Sequence, residues 1–150
     1  IITLDDRNVT AIDGELRIRS NNSIETILRT KAKTDSITVK DEVKPEIDAR
    51  RGSLNTSGRI IYLPFTEKLD KKVETLFKDD LIVESAVEGV LDRSKYSTTL
   101  DSDHKTIKIT IDSSVNGSRG YYITLKEDPK YIMDTSGNVV EYDGYEYYTR

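Results

Sequence analysis

Tyr131-Ile-Met-Asp-Thr-Ser-Gly-Asn-Val-Val-Glu-Tyr-Asp-Gly-Tyr-Glu-Tyr-Tyr-Thr-Arg150 closes the sequence and decides how the rest is read. Asp134 to Asn138 has turn composition, since Asp and Asn bond their own backbone and Gly accepts positive φ. A short strand follows, Asp143-Gly144 turns the chain again, and a closing strand completes a terminal hairpin. In that strand Tyr145 and Tyr147 share one face and Tyr148 takes the other. This is the pattern of a β-sandwich edge, and it contains no catalytic chemistry.

Working back from this end, apolar residues alternate with polar ones and turn residues interrupt every eight to twelve positions, which predicts a sandwich or barrel. In Thr106-Ile-Lys-Ile-Thr-Ile111 the three isoleucines all fall on one face. Tyr121–Leu125, Tyr96–Leu100 and Leu81–Val87 read as further strands. In Arg59-Ile-Ile-Tyr-Leu-Pro-Phe65, Ile61, Leu63 and Phe65 share a face, and Pro64 argues for an edge position or a bulge. Leu69, Val73, Leu76 and Phe77 fall at helical spacing, so a short helix capped by Thr66 is expected across an open end. Near the start, Val9–Ile12 and Leu16–Arg19 flank Asp13-Gly14 as a hairpin. Ile24–Ala32 and Ser36–Val39 read as two more strands. The charged segment Lys40-Asp-Glu-Val-Lys-Pro-Glu46 suits a joint between domains. The expected division is a small β unit, or the tail of a preceding similar domain, over residues 1–43 and a larger β domain over 44–150.

Composition narrows the function. Of the 150 residues 35% are apolar and 33% charged, which fits two thin cores better than one thick one. A net charge of −4, with the basic residues interleaved among acidic ones, offers no field for nucleic acid or an anionic membrane. Cysteine is absent, which removes disulfides and thiolate metal sites. No run approaches a membrane-spanning length. The chain opens on Ile1 rather than Met and reads as a segment of a longer protein.

From Val43 onward the order of features resembles the bacterial immunoglobulin-like domain that recurs in S-layer proteins and other surface proteins of Gram-positive bacteria. Asp41-Glu-Val-Lys-Pro-Glu-Ile47 corresponds to its opening segment. Gly58-Arg-Ile-Ile-Tyr-Leu-Pro-Phe-Thr-Glu-Lys-Leu-Asp70 resembles its strand ending in Phe-Ser-Glu with Leu-Asp after it. Asp103–Ile111, Gly120–Leu125 and Asp134–Asn138 resemble its aspartate-turn-strand, its Gly-x-x-Tyr strand and its Asp-x-x-Gly-Asn turn, and Tyr148-Thr149 closes the pattern. Pro64 and the long stretch from Asp70 to Ser94 depart from it. The resemblance covers about the last two thirds of the chain and implies an immunoglobulin-like Greek-key sandwich acting as an extracellular spacer or lattice module.

Candidate site residues are few. His104, flanked by Asp101 and Asp103, has the company of a general base, but no nucleophile elbow occurs, and an exposed turn residue is the plainer reading. No enzyme activity and no organic cofactor are expected. Calcium is the one candidate metal, because it takes six to eight oxygens. Asp41 and Glu42 at the joint, with Asp134 or Asp143, would supply carboxylates if the fold brought them together. Tyr145, Tyr147 and Tyr148 are the candidate contacts for sugar or for a partner. Asn8, Asn21, Asn55 and Asn116 lie in glycosylation sequons, which turn-rich chains also produce by chance.

The resulting expectation is a non-enzymatic structural module of an extracellular bacterial surface protein. Its partners would be neighbouring domains, other copies of itself and cell-wall polysaccharide, without nucleic acid and without membrane insertion. The alternative is a carbohydrate-binding or adhesin module, or an accessory domain of a secreted polysaccharide-degrading enzyme.

Overall fold

The structure, a computed structural model, describes residues 2–4 and 39–149. Contacts divide the chain into two units, Ile1–Val43 and Lys44–Arg150. In the first, strand β1 (Ile2–Leu4) pairs in parallel with β2 (Val39–Asp41), Thr3 lying opposite Lys40. The strands expected over Val9–Ile12, Leu16–Arg19 and Ile24–Ala32 lie outside the described residues, as does all but Val39 of Ser36–Val39.

The second unit is all-β, a curled sheet of eight strands: β3 (Ser53–Ser57), β4 (Ile60–Pro64), β5 (Leu81–Ser85), β6 (Gly89–Val90), β7 (Tyr96–Leu100), β8 (Thr106–Ile111), β9 (Tyr121–Leu125) and β10 (Glu146–Thr149). Their order across the sheet is β6-β5-β9-β10-β3-β4-β8-β7. All neighbours are antiparallel except β10 and β3. β3 changes partner along its length. Ser53 and Leu54 lie opposite Tyr148 and Thr149 of β10, whereas Asn55 to Ser57 lie opposite Tyr62 to Ile60 of β4. The two halves of the sheet meet at β3 and turn their apolar faces onto one core. Ile61, Leu63, Ile107 and Ile109 come from one half, and Leu81, Val83, Ile123 and Leu125 from the other. Each such side chain, fully removed from water, contributes roughly 1.5–3 kcal/mol before entropy is counted, so the alternation in β4, β5, β8 and β9 fixes their register.

Because β3 and β10 are parallel, the chain enters β3 and leaves β10 in the same direction. It reaches β3 past the end of β4, where Ile47 bridges Phe65. It leaves β10 at Thr149, beside Leu54 and heading along β3.

Several expectations are corrected. β4 is an inner strand between β3 and β8, not an edge. Pro64 is tolerated because it is the last residue and its nitrogen faces past the end of the β3 ladder, on the side where its own carbonyl accepts the N–H of Asp48 at 2.8 Å. Leu81–Val87 ends as a strand at Ser85, whose hydroxyl oxygen accepts the N–H groups of Val87 and Glu88 and so turns the chain. The short helix is a 3₁₀ stretch, Lys71–Asp80, with Phe77 in the core. Its cap is Asp70, which accepts the N–H of Lys72 at 3.0 Å, and not Thr66, whose hydroxyl instead accepts the N–H of Glu46. This stretch lies along β7, the outer strand of its half. Glu74 Oε2 accepts the edge N–H of Leu100 at 2.8 Å, and the Glu74 carbonyl accepts the hydroxyl of Thr98 at 2.7 Å. The terminal hairpin does not form either. Val139 makes only an isolated bridge to Met133, and β10 pairs with β9 and β3.

Candidate functional site

Tyr142, Tyr145 and Tyr147 border a groove of about 330 Å³ in the second unit, between the segment Lys44–Ile47 and the stretch from Val140 to Tyr147 that leads into β10. Both walls are tied to the sheet. Glu46 and Thr66 exchange two bonds, the Thr66 N–H donating to the Glu46 carbonyl at 2.9 Å and the Glu46 N–H to the Thr66 hydroxyl at 3.1 Å. On the other wall Val140 is buried, and its N–H donates to the Ile132 carbonyl at 2.8 Å. Lys44 Nζ reaches across to Glu141 Oε1 at 2.7 Å. That hydrogen bond, then the ammonium charge, holds the Glu141 carboxyl below the usual glutamate range.

Asp143 organises the floor. Its Oδ1 accepts the N–H of Tyr145 at 3.0 Å, and its Oδ2 accepts the Tyr147 hydroxyl at 2.6 Å. Gly144 between them has φ +70°, which closes the turn without a Cβ penalty. Tyr147 is only 7% exposed. Burial first, then the bond and charge of Asp143, hold its hydroxyl far above the usual tyrosine range.

The two tyrosines expected to share a face therefore differ. Tyr147 points into the core from β10, whereas Tyr145 precedes the strand and is 68% exposed. Tyr148 is half-buried on the outer face and packs beside Gly52, where an added Cβ would meet its Cε1 at 3.6 Å. Tyr142, which belongs to the same tyrosine-rich stretch of sequence, is 46% exposed and lines the same groove as Tyr145.

Two of the calcium candidates lie in each unit. Asp41 and Glu42 belong to the first unit, where Asp41 Oδ1 accepts the N–H of Val43 at 2.9 Å. Asp134 and Asp143 belong to the second and organise separate turns. Asp134 accepts the N–H groups of Ser136 and Asn138 and the Asn138 side-chain amide, all at 2.8–2.9 Å. The neighbour that sequence reading missed is Glu67. It is as buried as Asp134, each being 4% exposed, and their carboxylate oxygens come within 4.8 Å. Leu69 bridging Asp134 across the sheet margin explains that approach.

His104 is exposed on its turn with φ +57°, and its carbonyl accepts the N–H of Leu69 at 2.7 Å. The neighbouring Asp103 carboxylate accepts the N–H groups of Lys105 and Thr106 and the Thr106 hydroxyl. These groups shape the turn. Asn55 and Asn116 are exposed, and Asn8 and Asn21 lie outside the described residues. Among the described residues no helix is long and apolar enough to cross a membrane.

Comparison with family models, with curated proteins and with solved structures gives no match.

Proposed function

We propose that this chain is a non-enzymatic structural module of a bacterial cell-surface protein of the S-layer type, an extracellular spacer whose flanks contact neighbouring domains or other copies. The observation that carries the reading is the parallel pairing of β3 with β10. A chain that enters and leaves in one direction suits modules linked in series, and tension along it draws β3 and β10 past each other lengthwise. Their ladder bonds then bear load together instead of opening one at a time.

The strand order also supports an immunoglobulin-like Greek-key sandwich. The set β3-β4-β8-β7 would form one layer and β10-β9-β5-β6 the other, with β3 shared at the seam. This agrees with the resemblance carried by Gly58–Asp70, Asp103–Ile111 and Gly120–Leu125.

Single-molecule pulling on the second unit, with handles at Lys44 and Arg150, tests the reading. One cooperative rupture, at higher force than when the handles are at Ser57 and Arg150, is expected. Gradual yielding at low force would remove the mechanical argument. Fractionation of the source cells tests the surface location, and recovery in the cytoplasm would refute it.

A further inference from the structure

We propose that the groove beside Asp143 binds a neutral oligosaccharide, with Tyr142 and Tyr145 as stacking faces and the carboxylates of Asp143 and Glu46 as acceptors for sugar hydroxyls. This goes beyond the spacer reading and does not depend on it.

Tyr142 and Tyr145 are both exposed and line one groove. They flank Gly144, where an added Cβ would stand 3.9 Å from Tyr142 Cε1, so the Tyr142 ring leans over the turn. The turn is fixed from below by the two bonds to Asp143 and from the side by Lys44 and Glu141. A site fixed before the ligand arrives avoids much of the ordering penalty of binding.

Charge and hydrogen-bonding capacity select the ligand. The groove carries three carboxylates, Glu46, Glu141 and Asp143, against the single ammonium of Lys44. That balance repels anions such as phosphate or uronate. Lys44 directs one N–H to Glu141, and the Tyr147 hydroxyl is held by Asp143. The carboxylates add acceptor positions: each offers about four lone-pair sites, and Asp143 uses two of them within the turn. A polyproline-type peptide presents mainly carbonyl acceptors, because proline lacks an N–H, and so cannot use those carboxylate positions. A sugar ring presents several O–H donors at its rim and an apolar C–H face to stack on an aromatic ring. It matches on both counts.

The experiment uses the full chain with linear β-glucan, mannan, xylan and galactan as probes, in affinity electrophoresis and calorimetry. Hyaluronate serves as the anionic control and a polyproline peptide as the competing class. The expected result is retention by at least one neutral polysaccharide, weakened about tenfold or more by Tyr145→Ala and by Tyr142→Ala, and unchanged by Tyr122→Ala. Tyr122 is an exposed tyrosine on the outer face of β9, and equal melting temperatures for all variants establish that they fold. No retention by any neutral polysaccharide overturns the proposal. So does retention indifferent to both groove tyrosines, preferential binding of hyaluronate or the peptide, or a role of the tyrosines confined to self-association in sedimentation.

Discussion

Asp80 Oδ2 accepts the backbone N–H of Tyr131 at 2.6 Å, and the same carboxylate takes the N–H groups of Lys130 at 2.9 Å and Ile132 at 2.8 Å. Three successive donors converge on one side chain that is itself buried. Asp80 ends the 3₁₀ stretch, and its own carbonyl accepts the N–H of Lys126. It thereby fastens the loop after β9 to the start of β5. Replacing it leaves three donors without their acceptor, and each buried orphan costs about 1–3 kcal/mol. Asp80→Ala should therefore destabilise by about 3 kcal/mol or more in urea unfolding. Asp70→Ala, which removes an exposed cap, should cost about 1 kcal/mol. Equal effects of the two would show that the clamp contributes nothing beyond an ordinary cap.

Gly120 and Gly137 both have φ near +90°, but their surroundings differ. A Cβ on Gly137 meets nothing within 4 Å, whereas on Gly120 it would stand 2.5 Å from the backbone oxygen of Thr149. Gly137→Ala should pay only the backbone strain, about 1–2 kcal/mol. Gly120→Ala must in addition displace β10, where Thr149 Oγ1 accepts the N–H of Tyr121. It should lose at least about 1–3 kcal/mol more, with faster amide exchange along β10. Matched losses, or protection of β10 in the Gly120 variant, would contradict this.

The outer edge of β7 is covered by side chain and backbone of Glu74. Unpaired strand edges recruit other strands. Glu74→Ala should cost about 1–3 kcal/mol, since a hydrogen bond to a charged group is lost. More tellingly, it should promote concentration-dependent association in light scattering. A variant that stays monomeric at high concentration would mean that the 3₁₀ stretch protects the edge by bulk alone.

Tyr147 and Tyr96 both have hydroxyls whose pKa is raised, chiefly by burial. A group that ionises less readily in the folded state contributes its full stability below the unfolded value of about 10. That stability is lost as pH rises through that value, because the unfolded chain then releases protons the folded one retains. Thermal stability should hold up to pH about 10 and fall steeply above it. Tyr147→Phe should flatten that fall while lowering neutral-pH stability by about 1 kcal/mol. An unchanged alkaline slope in the variant would assign the effect to Tyr96 or elsewhere.

Where one face of a strand is buried, the strand was legible from sequence. Thr106–Ile111, Tyr96–Leu100 and Tyr121–Leu125 have the expected bounds because inward side chains, all apolar except Thr98, recur at every second position. β3 was not legible: of Ser53-Leu-Asn-Thr-Ser57 only Leu54 is buried, and its strand character comes from β10 on one side and β4 on the other. The spacing that placed Phe77 inward was sound, but it could not distinguish Thr66 from Asp70 as the cap. That choice depended on Thr66 pairing with Glu46, twenty residues earlier. At the groove, the Asp143-Gly144 turn was legible, and the difference between Tyr145 and Tyr147 was not.

The sequence by itself determined that the chain is built of strands and where most of them turn, because alternation and turn chemistry act over a few residues. Tertiary structure alone decided that β10 joins β3 in parallel, that Asp80 holds a loop fifty residues away, and that Tyr145 is exposed while Tyr147 is buried. Those outcomes depend on which distant segments share the core. A local pattern cannot carry that information, because every half-buried strand presents its neighbours with the same repeating edge of donors and acceptors.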